Sequence, residues 1–212
     1  PVLVYICNPN NPTGTITDPD AVEAWIGRAG ENVHFLVDEA YFELVTDPSY
    51  RSLRELVTTN PRVVVARTFS KIHGMAGMRL GYGMAHPDFV QELLPWAPFT
   101  NTNALALAAG SASLDDTAHL RMSMEYNERA KAIVIETLDQ LDLSYLPSNT
   151  NFVMHQIKGP RATYRDRMWE GGFGVGRDFP PLMDHNRVSL GLPEEMEAWS
   201  ATAMDFRSKG WL

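Results

Sequence analysis

Residues 67–83 read RTFSKIHGMAGMRLGYG. The stretch leaves a β-branched run, VVVA at 63–66, and enters a bend rich in small residues. A single lysine, Lys71, has the hydroxyls of Thr68 and Ser70 just before it and Arg79 eight positions after it. An amine is a useful nucleophile only when part of it is unprotonated, and a cationic neighbour or desolvation lowers its pKa toward that state. A planar guanidinium flanked by hydroxyls suits a phosphate. The set therefore matches a ligand that carries both an aldehyde and a phosphate.

Upstream, Val33 to Val37 reads as a short apolar strand that ends at Asp38, within Val37-Asp38-Glu39-Ala40-Tyr41. Earlier still, Val2 to Cys7 reads as a strand buried on both faces. It runs into Asn8-Pro9-Asn10-Asn11-Pro12-Thr13-Gly14, whose prolines and glycine force a rigid loop. Asp18 followed by Pro19 marks a helix start, with the helix running to about Ala29. Residues 51–57 look helical, 62–68 form the strand before Lys71, and 80–85 form another strand. This alternation predicts an α/β fold with a mostly parallel sheet. Ligands bind such sheets beyond the carboxyl ends of the strands. Asn11, Asp38 and Lys71 each follow such an end, so three polar positions fall on one edge of the sheet.

The second half changes character. Residues 103–114 and 117–141 are long helical patterns, followed by short strands near 143–146 and 152–155. A helix over 161–170, strands around 174–176 and 187–190, and a last helix from Pro193 complete the reading. A separate α+β domain starting near residue 116 is predicted, giving domains at 1–115 and 116–212.

The chain has 212 residues, a formal charge of −8 and 44% hydrophobic content. That supports a sizeable core. An acidic balance argues against nucleic acid as a partner of this segment. The one cysteine, Cys7, rules out an internal disulfide and reads as an inert packed residue in a reducing compartment. No apolar stretch reaches membrane-spanning length and no charged-then-apolar leader is present, so the expected location is cytoplasmic. The six histidines show no HExxH or paired spacing, so no metal is expected. The chain opens at Pro1 directly into a strand pattern, and it reads as the C-terminal part of a longer protein.

The three blocks in this order, with a fourth at Asn186-Arg187-Val188-Ser189-Leu190-Gly191, resemble the class I/II aminotransferases. These are pyridoxal-phosphate enzymes of fold type I, and the wording is most similar to the histidinol-phosphate aminotransferase branch. The resemblance implies that residues 1–115 are the C-terminal half of the cofactor-binding large domain and 116–212 the small domain. It implies that Lys71 holds pyridoxal 5'-phosphate as a Schiff base and then serves as the acid/base between the substrate α-carbon and the cofactor. By the same resemblance Asp38 meets the pyridine nitrogen, and Tyr41 and Asn11 meet the phenolic oxygen. Thr68, Ser70 and Arg79 hold the phosphate. For Thr68 and Ser70 a local turn hydrogen bond stays open as the alternative. Arg187 is implied as the clamp on an anionic group of the substrate, and Arg177 as a second anion-binding arginine, with a surface ion pair to Asp178 as its alternative.

The activity implied is transfer of an amino group between an amino acid or amino-alcohol phosphate and a 2-oxo acid, in a homodimer. Two rivals remain at this stage. One is a decarboxylase, cyclase or synthase on the same fold. The other is an aminotransferase-like sensor domain of a transcription regulator.

Overall fold

The computed structural model of the chain describes residues 1–97 and 102–211. It forms two compact units. The first comprises residues 1–11 and 16–121, and the second comprises 12–15 and 122–211.

The first unit is built on strand β1 (Val2–Cys7), helix α1 (Pro19–Arg28), and strands β2 (Val33–Asp38), β3 (Val63–Thr68) and β4 (Gly81–Ala85). The sheet order is β1-β2-β3-β4. The first three strands are parallel and β4 runs antiparallel to β3. Helix α1 starts where the sequence predicts. The Asp18 carboxylate accepts from the Asp20 N–H at 2.9 Å, and Pro19 sits at the first helical position, where its missing N–H costs nothing. Val22 and Ile26, four apart on one helix face, pack on Phe35 and Val37 of β2 and Val63 and Val65 of β3. Each fully buried side chain of this size contributes roughly 1.5–3 kcal/mol. Helices α2 (Pro87–Leu93) and α3 (Ala104–Asp115) complete the unit.

Two expectations change here. Strand β1 is not buried on both faces: Leu3 is 69% and Tyr5 59% exposed. It is an edge strand, and among the described residues only its Val4 and Ile6 pack on the core. An unbroken apolar run reports burial on average and cannot show which face a neighbour covers. Residues 51–57 hold only a 3₁₀ turn at Arg54–Thr58, because the Glu39 carboxylate takes the Ser52 hydroxyl and the Leu53 N–H. Helix α2 was not foreseen.

The second unit gathers most of helix α4 (Thr117–Gln140), strand β5 (Phe152–Gln156), helix α5 (Arg161–Glu170), strand β6 (His185–Ser189) and helix α6 (Pro193–Ser208). Strands β5 and β6 pair antiparallel, with Met154 opposite Arg187. Val134 and Leu138 of α4, Met168 of α5, and Trp199 and Phe206 of α6 enclose Val153 of β5 in one core. The strand expected over 143–146 shrinks to a single bridge between Tyr145 and His155. The strand expected over 174–176 is absent. Its Gly176 carbonyl is taken by the Arg161 guanidinium rather than by a neighbouring strand.

Candidate active site

Strand β3 ends at Thr68, and the chain then folds back on itself within a few residues. The Phe69 N–H reaches the Leu80 carbonyl at 3.1 Å, and the Gly74 N–H reaches the Lys71 carbonyl at 2.9 Å. Gly74 has φ +68°, a left-handed backbone that glycine adopts without a Cβ clash. Gly81 is needed for a different reason. A Cβ there would lie 2.8 Å from the Arg67 carbonyl oxygen, so glycine lets β4 approach β3. The bend leaves Arg79 itself left-handed, at φ 54°, which costs a non-glycine residue about 1–2 kcal/mol. Its guanidinium is tied to the Ala76 carbonyl at 2.7 Å.

Beyond the carboxyl ends of β1, β2 and β3 lies an open cleft of about 470 Å³. Asp38, Thr68, Ser70, Lys71 and Arg79 all line it. The cleft thus has a carboxylate, two hydroxyls, an amine and a guanidinium, brought together from two strand ends and one bend. Asp38 is held through both oxygens. Oδ1 accepts from the Ala40 N–H at 2.9 Å and Oδ2 from the Tyr5 hydroxyl at 2.6 Å. Burial, and next the hydrogen bond to Asp38, push the Tyr5 phenol well above its ordinary value. Tyr5 is therefore a protonated donor to Asp38. Sequence reasoning missed it, because only the strand register puts the β1 side chains beside Asp38, with Cys7 directly opposite.

Lys71 Nζ lies 5.1 Å from the centroid of the Tyr41 ring. Tyr41 is buried, and its hydroxyl receives the Asn11 side-chain amide at 3.3 Å. Asn11 and Tyr41 are therefore connected to Lys71, which reaches the cleft. Thr68 makes the local turn contact foreseen as an alternative: its hydroxyl accepts from the Ser70 N–H at 3.0 Å and faces the Leu80 carbonyl at 3.4 Å. Cys7 sits near the same edge, with its thiol on the Pro9 carbonyl at 3.3 Å. Burial pushes that thiol up and so holds it protonated. His73 packs on Phe69 and bonds the Ser113 hydroxyl at 2.7 Å.

A largely buried network that the sequence does not announce adjoins the cleft, whose lining includes Arg67. Arg67 pairs with Glu39 at 2.9 Å, with 9% and 1% of the two side chains exposed. It also reaches Ser52 at 3.0 Å and Glu43 at 3.3 Å, and its guanidinium lies 3.9 Å over the Phe42 ring. The network joins the ends of β2 and β3, directly behind Asp38 and Thr68.

In the second unit, the Arg187 guanidinium lies over Phe152 at 4.7 Å and over Phe179 at 4.8 Å. Arg177 lies over the same Phe179 ring at 4.7 Å. The two arginines are thus no farther apart than the sum of their distances to that ring. The expected alternative partner of Arg177 is taken elsewhere, since Asp178 pairs with Arg161.

The family model for aminotransferase class I and II matches residues 1–196. The chain is 38% identical to histidinol-phosphate aminotransferase 1 of Nitrosococcus oceani over 201 residues, covering 91% of this chain and 52% of that protein. A solved structure from Erwinia carotovora atroseptica is 42% identical with a TM-score of 0.96, over 100% of this chain and 62% of that one. The histidinol-phosphate aminotransferase of Sinorhizobium meliloti, solved in complex with pyridoxal-5'-phosphate, is 29% identical with a TM-score of 0.86, over 97% and 57%. The chain spans about half the length of the curated relatives it matches.

Proposed function

The chain belongs to the class I and II aminotransferases, and from that premise we propose that the protein carrying it is a pyridoxal-phosphate-dependent aminotransferase. Its proposed substrates are an amino acid or amino-alcohol phosphate of the histidinol-phosphate kind and a 2-oxo acid acceptor. The observation that carries this reading is the convergence of Asp38, Lys71 and Arg79 on one cleft at the carboxyl edge of the sheet.

The donor set fits the cofactor. Arg79, with Ser70 and Thr68, supplies donors for a phosphate. Asp38, already oriented through both oxygens, is a fixed negative charge for a protonated ring nitrogen. Asn11 and Tyr41 are linked donors suited to a phenolic oxygen. When bound, pyridoxal phosphate supplies the electron sink that eases cleavage at the substrate α-carbon. Lys71 Nζ is the amine that would hold the cofactor, and it is placed to carry a proton to and from the substrate α-carbon.

Arg187 and Arg177 are read as the anion clamp of the substrate, because two guanidiniums gathered on one aromatic ring give several fixed donors for a phosphate or carboxylate. A homodimer in the cytoplasm, with no nucleic acid or membrane as partner of this segment, belongs to the same proposal. The acidic charge speaks against nucleic acid, and the single cysteine suits a reducing compartment. Among the described residues, no helix is long and apolar enough to cross a membrane.

The test uses the full-length protein. Lys71→Ala should remove the visible absorbance of the bound cofactor and lower turnover of histidinol phosphate with 2-oxoglutarate by at least about 10²-fold. Retained turnover would refute the assignment. Carbon dioxide release in place of glutamate formation would favour a decarboxylase on the same fold.

A further inference from the structure

We propose that Arg161 is the positioning residue that sets the anion clamp, holding Arg177 and Arg187 on their shared platform. The inference rests on the reading above that these two arginines bind the substrate's anionic end.

Arg161 opens helix α5, and only 10% of its side chain is exposed. Its guanidinium is engaged through all three nitrogens. Nε pairs with the Asp178 carboxylate. Nη1 donates to the His185 carbonyl. Nη2 donates to the Gly176 carbonyl at 3.1 Å and to the Arg177 carbonyl at 2.7 Å. Three of these acceptors, at 176, 177 and 178, are consecutive. The fourth stands at the first residue of β6, two before Arg187. One side chain therefore staples both ends of the segment that joins Arg177 to Arg187. Between the two ends lies Phe179, buried, with both guanidiniums against its ring.

The physical need for such a staple is plain. Neither guanidinium stays over the Phe179 ring unless the backbone that carries it is fixed. Residues 174–176 form no strand, so no sheet ladder fixes the Arg177 side of the segment. Arg161 replaces the ladder by filling the carbonyls with charge-assisted bonds. A clamp assembled before the ligand arrives loses less freedom on binding. Lysine cannot substitute fully, since one ammonium cannot reach four acceptors spread around a planar fork.

The experiment compares Arg161→Ala, Arg161→Lys, Arg177→Ala and Arg187→Ala in the full-length holoenzyme. Four quantities are read: KM and kcat for histidinol phosphate, the inhibition constant of inorganic phosphate, the visible absorbance of the cofactor, and the melting temperature. Arg161→Ala should raise KM and the phosphate inhibition constant about tenfold. It should leave kcat within about twofold and the cofactor absorbance unchanged, because it loosens only the anion clamp. Arg161→Lys keeps the charge opposite Asp178 and should move the same two constants by a smaller factor. It carries the decision if the alanine variant fails to fold. If Arg177→Ala and Arg187→Ala leave both constants at the wild-type value, the anion-clamp reading itself fails. If those two raise the constants while both Arg161 variants leave them unmoved, the positioning role alone is overturned. A parallel loss of kcat and cofactor absorbance in the Arg161 variants would also overturn it, marking a general structural role.

Discussion

Glu39 is 1% exposed and adjoins Asp38, yet it faces away from the cleft chemistry and into the Arg67 network. Its neighbour identity invites a catalytic reading, and its surroundings give a structural one. Both carboxylate oxygens are filled, by the Leu53 N–H at 2.8 Å and by Ser52 and Arg67. Removing one member of a buried pair leaves the other charge uncompensated, typically at a cost of about 3–5 kcal/mol. Glu39→Ala should therefore lower the urea midpoint of the protein by a corresponding amount. The double variant Glu39→Ala/Arg67→Met should recover part of that loss, since the buried Arg67 charge leaves with its partner and only the more exposed Glu43 carboxylate is left behind. A double variant as unstable as the two single losses added would show that the pair is not coupled. At this scale Lys71, Asp38 and Arg79 were legible from residue type and spacing. Tyr5 and Arg161 were not, because their partners lie 15 to 33 positions away, and Phe179 was not, because only loop closure brings Arg177 and Arg187 onto its ring.

At the scale of elements, the carboxyl ends of β2 and β3 and the return through β4 place the site. Period and punctuation in the sequence located most of these pieces. Asp18-Pro19 started α1, the β-branched run at 63–66 made β3, and α5 begins and ends where expected, at Arg161 and Glu170. The reading failed where a side chain outcompeted a backbone ladder: Glu39 capturing Ser52 and Leu53, and Arg161 capturing the carbonyls at 176 and 177. The β3–β4 pairing gives a direct check. A methyl group at position 81 would sit 2.8 Å from the Arg67 carbonyl oxygen, a backbone atom that cannot rotate away. Gly81→Ala should cost about 1–3 kcal/mol, read as a fall in denaturation midpoint. It should also weaken cofactor binding, because Arg79 and Thr68 flank the same crossing. A variant as stable as the parent would mean that β4 can shift without loss.

At the scale of the whole molecule, stability depends on a buried histidine of the second unit. His155 is 1% exposed in the core of the second unit. Its Nδ1–H donates to the Gln156 carbonyl at 2.8 Å, its Nε2 faces the Asn186 amide at 3.3 Å, and its ring meets Tyr164 and Trp199 edge-on. Burial lowers its pKa from 6.5 to about 4. Below pH 6.5 the unfolded chain binds a proton that the folded chain refuses, so stability falls with pH and levels off below about pH 4. The loss across that window is about 3 kcal/mol. Denaturation midpoints of the protein and of His155→Gln, followed from pH 7 to pH 4, should differ in slope, with the variant flatter. Equal slopes would remove His155 from the pH response. By itself, the amino-acid sequence determined the family, the order of strands and helices around the Lys71 bend, and the residue types proposed to meet a phosphate and a ring nitrogen. Those features are local, written in periodicity, caps and short spacings. Only the tertiary structure decided that Tyr5 bonds Asp38, that Phe179 carries two guanidiniums, and that Arg161 rather than a β-ladder holds their backbone. Such contacts join residues through strand register and loop closure, which a linear spacing does not encode.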